Sequence, residues 1–208
     1  MSSSIIQQKS PALILLFVYI GLRFIYPASL DQIGPYAPYA FEVIFCINAV
    51  YLFRSRLKLK IKFNKTIFWY LLTTTVAGFC VFSLALPLGL FIPFNLKNPE
   101  LIFLLIVIGP ILEEFIFRFA FWHALEKLFS NKLALPLTTV IFSYSHFQAY
   151  FLVPADFKHF VIYQTIYTLF LGWWLGSCYR KYSVLSIPIL FHIVFNLGFL
   201  VGFFCAAR

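Results

Sequence analysis

Residues 109–118 read Gly-Pro-Ile-Leu-Glu-Glu-Phe-Ile-Phe-Arg, within an apolar run that extends from residue 101 to residue 125. Charges at membrane depth are costly, and they persist mainly where they pair, face the protein interior or do chemistry. On a helix, Glu114 and Arg118 share a face, whereas Glu113 points about 100° away from Glu114. We therefore expect Arg118 to neutralise Glu114 and to leave Glu113 free. The alternative is an ion pair that only holds helices together.

The composition is that of a membrane protein. The chain is 62% hydrophobic and 11% charged, whereas soluble domains are nearer half apolar and a quarter charged. Its mean hydropathy of +0.91 agrees with this class. Most of the net charge of +9 lies in short loops beside apolar segments, so we expect no nucleic-acid partner.

Apolar segments of the length that crosses a bilayer recur along the whole chain. A spanning helix needs about 20 mostly apolar residues. The predicted spans are residues 11–28, 38–53, 66–93, 100–129, 133–152, 159–179 and 183–206. We expect the third span to bend at Pro87, because proline breaks the helical hydrogen-bond pattern. The predicted fold is all-α, a polytopic transmembrane helix bundle of about seven spans that forms one domain over residues 1–208.

Basic residues divide unequally between the two sides of this bundle. With the N-terminus inside, eleven fall at cytoplasmic positions: Lys9, Arg54, Arg56, Lys58, Lys60, Lys62, Lys65, Lys127, Lys132, Arg180 and Lys181. The other side receives three: Lys97, Lys158 and Arg208. Lysine and arginine concentrate in cytoplasmic loops. We expect a multi-pass protein of the cytoplasmic membrane of a prokaryote, with its N-terminus cytoplasmic and its C-terminus external.

Polar side chains also lie deep in the fifth and seventh predicted spans. His146 is in the fifth, and His192 and Asn196 are one helical turn apart in the seventh. A rise of about 1.5 Å per residue places Glu113 and both histidines about 14–20 Å into their spans. We therefore expect these side chains to meet near the middle of the membrane, although a lone histidine there can serve as an interhelical hydrogen bond.

A site of this composition has three chemical interpretations. Glu113 and His146 can share a water and take its proton, while His192 and Asn196 donate hydrogen bonds to an oxyanion. Alternatively, Glu113, His146 and His192 can hold a zinc ion that activates the water, although the chain has no His-Glu-x-x-His sequence. Protonatable groups at this depth also suit a proton relay in a protein that is not an enzyme.

These residues form three short motifs in chain order, Glu113-Glu114-x-x-x-Arg118, Phe142-x-x-x-His146 and His192-x-x-x-Asn196. The pattern resembles the CAAX protease and bacteriocin-processing family, also called the Abi family. Its members are intramembrane proteases that include the type II CAAX prenyl endopeptidases. The resemblance covers about residues 100–200, which it implies are the catalytic core.

The resemblance implies a bundle of seven or eight transmembrane helices with a membrane-embedded active-site cavity. It implies Glu113 and His146 as the water-activating pair and His192 with Asn196 as the oxyanion site. It also implies a glutamic-type endopeptidase without a cofactor, with zinc as the alternative.

The second acidic residue of the first motif, Glu114, and Arg118 are implied to be structural or to contact substrate. The implied partners are a peptide or membrane-protein substrate and the lipid bilayer. The rival function is that of a non-catalytic membrane protein, such as a bacteriocin-immunity factor or a transporter-like scaffold.

Overall fold

The computed structural model describes residues 2–25, 30, 32–34 and 36–206, with side chains from residue 10 onward. Within these residues the regular elements are all helices, which confirms the all-α prediction. In chain order the longer ones are α1 (Ser2–Tyr19, continued by a π-helix Ile20–Ile25), α2 (Ala37–Phe53), α3 (Lys65–Ala85), α4 (five consecutive pieces from Pro99–Phe103 to Trp122–Leu128), α5 (Asn131–Phe147), α6 (Lys158–Tyr182) and α7 (Ser186–Ala206). Each corresponds to one predicted apolar segment, although residues 26–28 of the first segment lie outside the described residues.

Three of these helices are long and apolar enough to cross a membrane. They lie in Ala37–Arg56, Lys65–Ala85 and Ser186–Ala206, and Ser10–Ile25 is a shorter apolar helix. That all seven helical segments cross the bilayer stays a prediction.

The expected bend at Pro87 is wrong, because α3 ends at Ala85 instead. Proline has no N–H to donate to the carbonyl one turn earlier, so the helical hydrogen-bond pattern cannot continue through Pro87. The chain turns with Gly89 at φ 64°, a conformation that favours glycine. The N–H of Leu90 donates back to the carbonyl of Ala85 at 3.2 Å, which closes the end of the helix.

Polar contacts fix the antiparallel packing of α6 against α3. The Tyr163 hydroxyl donates to the carbonyl of Val81 at 2.6 Å, near the start of α6 and the end of α3. Further along α6, the Trp174 indole donates to the Thr74 hydroxyl at 3.2 Å, earlier in α3.

Glycines allow α7 to lie directly against α3 in the parallel direction. A Cβ on Gly78 would overlap the carbonyl oxygen of Phe195, and one on Gly198 would overlap the carbonyl oxygen of Thr75. The two backbones therefore touch, as at small-residue interfaces between membrane helices.

An aromatic core holds α4 against the first two helices and α5. The rings of Tyr19 and Phe45 have centroids 4.7 Å apart, and Tyr19 meets Phe121 edge-on at 5.3 Å. On the other side, Phe117 meets Phe142 of α5 at 5.3 Å. Burying large aromatic surfaces of this kind is a major source of stability.

The bundle has two unlike ends. The basic end is formed by residues 54–64, 129–130 and 183–185. The first and last of these segments meet where the N–H of Leu185 donates to the carbonyl of Lys58. The opposite end is formed by residues 86–98 and 148–157. Ten described basic residues lie at or beside the basic end: Arg54, Arg56, Lys58, Lys60, Lys62, Lys65, Lys127, Lys132, Arg180 and Lys181. At the opposite end lie Lys97 and Lys158, while the Lys9 side chain and Arg208 are outside the described residues.

Candidate active site

Helix α4 is irregular where it carries the two adjacent glutamates. The α-helical piece Gly109–Glu114 lies between two π-helical pieces, Leu104–Ile108 and Phe115–Phe121. Single π turns inside helices occur often at functional sites, because they change the direction of neighbouring side chains. The local geometry here separates Glu113 from Glu114.

The Glu114 side chain is buried beside Arg118, as the helical spacing predicts. The Glu114 Oε2 and Arg118 Nε atoms are 3.1 Å apart, with exposures of 0% and 1% for the two side chains. Their alignment is too poor for a hydrogen bond, so the contact is an ion pair. Arg118 also donates from Nη2 to the carbonyl of Gly172 at 3.3 Å and lies 4.3 Å from the centroid of the Phe142 ring.

The neighbouring carboxylate, Glu113, faces both histidines. Its Oε1 lies 3.9 Å from Nε2 of His146, and its Oε2 lies 3.6 Å from Nε2 of His192. The Glu113 side chain is 30% exposed, whereas those of His146 and His192 are 16% and 4% exposed. The structure therefore brings together three of the four predicted catalytic side chains, with the carboxylate the most accessible of them.

Hydrogen bonds at Nδ1 orient both imidazole rings. Nδ1 of His146 lies 3.0 Å from the carbonyl oxygen of Phe142, and Nδ1 of His192 lies 3.0 Å from Oε1 of Glu114. Carbonyl and carboxylate oxygens accept, so Nδ1 carries the proton in both rings. In the neutral rings, Nε2 is then an acceptor that faces Glu113.

The contact between Glu114 and His192 is one that the sequence analysis missed. The two residues are 78 positions apart, and no spacing rule relates a residue of α4 to one of α7. The contact means that Glu114 serves two partners, because its Oε2 faces Arg118 while its Oε1 accepts from the imidazole.

Asn196 has a backbone partner in α4. Its Nδ2 donates to the carbonyl oxygen of Leu105 at 2.8 Å. A π-helical hydrogen bond joins the N–H of Gly109 to the carbonyl of Leu104. In the same register the carbonyl of Leu105 would accept from residue 110, which is a proline and has no N–H. The Asn196 amide satisfies the acceptor that proline leaves open, so its presence alone does not distinguish an oxyanion site from a proton relay.

A cavity of about 550 Å³ contains these groups. This is a typical volume for a ligand site. Its lining includes Glu113, His146, His192, Asn196, Arg23 and Glu42. Arg23 and Glu42 form an ion pair with Nε and Oε1 3.2 Å apart, on helical segments outside the three motifs. Sequence analysis can find Arg23 and Glu42 because each is a charged residue within an apolar segment.

The side chains that would bind zinc in the alternative mechanism, those of Glu113, His146 and His192, lie together in this cavity. Carboxylate oxygen and imidazole nitrogen are ligands that zinc accepts, and zinc-bound histidines usually have their other nitrogen held, as both do here. Among the described residues, however, no three His, Cys, Asp or Glu side chains are grouped closely enough to hold a metal ion.

Comparison with known proteins places the chain in a family. A family model described as Rce1-like, type II CAAX prenyl endopeptidase Rce1-like, matches residues 95–198. The chain belongs to the Rce1-like family. Membership confirms the predicted resemblance and indicates a CAAX intramembrane protease, which is a hydrolase and a membrane protein. The matched segment of this Rce1-like chain contains all six predicted site residues. No curated protein and no solved structure matches the chain.

Proposed function

We propose that this Rce1-like protein is a glutamic-type intramembrane endopeptidase in which Glu113 and His146 activate a water molecule. The observation that supports this most is the gap of 3.9 Å between Glu113 Oε1 and His146 Nε2. The gap is too long for a direct hydrogen bond and suits a bridging water. Because both facing atoms accept, such a water donates both its protons to them and directs a lone pair toward a substrate carbonyl.

Proton transfer completes the reaction. As the water oxygen bonds to the carbonyl carbon, Glu113 takes one of its protons and the carbonyl oxygen becomes an oxyanion. The C–N bond then breaks, the proton passes from Glu113 to the departing amine, and the carbonyl forms again. The products are a carboxylic acid and an amine, and no cofactor enters the balance.

We propose His192 and Asn196 as the donors to the oxyanion. In its neutral form His192 carries its proton on Nδ1, so Nε2 donates only when the ring is protonated on both nitrogens. The buried carboxylate of Glu114, 3.0 Å from Nδ1, holds the ring with Nε2 toward the cavity. Asn196 has a second amide N–H besides the one that it donates to Leu105.

The proposed architecture is one transmembrane domain over residues 1–208 with seven spans and a catalytic core at about residues 100–200. Its N-terminus is cytoplasmic and its C-terminus is external. Its partners are a peptide or membrane-protein substrate and the bilayer. Zinc bound by Glu113, His146 and His192 is the alternative mechanism, and a non-catalytic scaffold or proton relay is the rival function.

The decisive experiment compares Glu113→Gln with Glu100→Gln. Both changes replace a carboxylate by an amide of the same size. Glu100, however, is exposed and accepts a hydrogen bond from the Tyr36 hydroxyl outside the cavity. Purified variants in liposomes are given a library of quenched fluorescent peptides. We expect Glu100→Gln to cleave like wild type and folded Glu113→Gln to show no cleavage. Cleavage by Glu113→Gln at the wild-type rate would exclude Glu113 as the base.

A further inference from the structure

The segment of residues 57–64 connects two helices at the basic end of the bundle. Both helices, in Ala37–Arg56 and Lys65–Ala85, are long and apolar enough to cross a membrane. The third such helix, Ser186–Ala206, begins beside them, where the N–H of Leu185 donates to the carbonyl of Lys58 at 2.8 Å. Helices that cross a bilayer emerge at its surface. The 57–64 segment therefore lies at the membrane surface.

Apolar contacts hold this segment in place. Leu57 is partly buried against the core that includes α1, α2 and α4, and Ile61 is partly buried against the core formed by α3, α6 and α7. The three lysines that alternate with the apolar residues, Lys58, Lys60 and Lys62, are all exposed. The segment thus presents its ammonium groups from a backbone that is anchored by two apolar contacts and one hydrogen bond.

The described part of the chain supplies no counter-charge to this surface. Among the described residues, none of the ten basic side chains of the basic end forms an ion pair with a carboxylate. The one described acidic residue there, Glu126, contacts Nδ1 of His123 through its Oε2 at 3.1 Å. The two arginines within the bundle, Arg23 and Arg118, each pair with a glutamate instead.

Exposed apolar side chains lie among these charges. Leu59 and Phe63 of the 57–64 segment are 49% and 67% exposed, and Phe129 at the same end is 63% exposed. At a membrane surface, apolar side chains enter the boundary between headgroups and acyl chains, while lysine side chains reach outward to the headgroups. An anionic phospholipid satisfies both kinds of side chain. A soluble phosphate or a nucleic acid offers nothing to the apolar ones.

We propose that the 57–64 segment is a binding surface for anionic phospholipids of the surrounding bilayer. Lys58, Lys60 and Lys62 contact the phosphate groups, and Leu59 and Phe63 contact the upper part of the acyl chains. This proposal does not depend on the peptidase function, because no residue of the segment lines the cavity around Glu113. Each basic residue near an anionic surface contributes about a fivefold gain in affinity.

Two pairs of substitutions, matched in number, test the surface. Lys60→Gln/Lys62→Gln removes two charges from the segment, and Lys97→Gln/Lys158→Gln removes two from the opposite end. Native mass spectrometry of each purified protein in detergent measures the Kd for phosphatidylglycerol and for phosphatidylcholine. We expect wild type to bind phosphatidylglycerol more tightly, and the first pair to lose roughly 25-fold in that affinity alone. The second pair should bind both lipids like wild type.

Three results overturn the proposal. The first is equal affinity of wild type for the two lipids, and the second is an equal loss of phosphatidylglycerol affinity in both pairs. The third is displacement of phosphatidylglycerol by an equal concentration of glycerol 3-phosphate, which would make the surface a site for soluble phosphates. Thermal melts check that each protein is folded. Leu59→Ser/Phe63→Ser, which keeps every charge, should also weaken phosphatidylglycerol binding, and unchanged binding contradicts the role of the acyl chains.

Discussion

Removing Arg118 is the change whose energetic consequence the structure defines best. Arg118→Leu puts a shorter apolar side chain at this position and removes the guanidinium that faces Glu114 at 3.1 Å. The carboxylate that remains is 0% exposed, and among the described residues it keeps only His192 as a polar partner. The contacts of Arg118 with the Gly172 carbonyl and the Phe142 ring are lost as well.

The expected cost follows from the burial of this pair. Breaking a buried ion pair by removing one partner costs about 3–5 kcal/mol, because an uncompensated charge is left behind. For a protein of this size, about 2–4 °C of melting temperature is lost per kcal/mol, so the expected drop is roughly 6–20 °C. The double variant Glu114→Gln/Arg118→Leu carries no buried charge, and we expect it to recover most of this loss.

Thermal unfolding in detergent, followed by tryptophan fluorescence and circular dichroism, measures both effects. Arg54→Leu serves as the control, because Arg54 is exposed at the basic end. If Arg118→Leu has the melting temperature of wild type, or if the double variant melts as low as the single one, the buried-charge reasoning is wrong. The double variant should also cleave poorly even when it is stable, because His192 has lost its carboxylate partner.

Three further outcomes are expected. Asn196→Ala should lose about 100- to 1,000-fold in cleavage rate but keep measurable activity, as removal of one oxyanion donor does. Glu113→Gln should keep no activity. An equal loss of rate in both variants contradicts the assigned roles. Gly78→Ala should lower the melting temperature by forcing α3 away from Phe195, at a cost of about 1–3 kcal/mol. Gly21→Ala should not, since nothing lies within 4 Å of the added Cβ. Chelators should leave cleavage intact, and purified protein should lack stoichiometric zinc; activity that is lost on chelation and restored by zinc establishes the metal mechanism instead.

Much of the helical layout is predictable because it depends on local properties of the sequence. The apolar runs place all seven helical segments, and the four-residue spacing places Arg118 beside Glu114. The errors concern helix ends. Pro87 terminates α3 rather than bending it, because the chain beyond it turns back through a glycine with positive φ. Helix α5 stops before its apolar run does, at Phe147.

The sequence predicts that Glu113 and the two histidines come together, but it does not predict the hydrogen-bond partners of the neighbouring polar side chains. Three polar groups in apolar helices are conspicuous, and the structure brings Glu113 within 3.9 Å of both histidines. The partners of Glu114 and Asn196 on other helices depend on how α4 and α7 are rotated against each other. The π-helical turns that set this rotation have no simple sequence signature apart from the proline at position 110.

The parallel contact of α3 with α7 also sets the order in which the protein can be assembled. Gly78 meets Phe195, which leaves the ribosome later by roughly a hundred residues, or on the order of ten seconds of synthesis. Until then, α3 can contact only lipid and the helices that are made before α7, including α6. The same late helix delivers His192, so a nascent or truncated chain that ends before α7 contains Glu113 and His146 but lacks a complete site. Under the proposed function, proteolytic activity therefore requires that α7 has been synthesised.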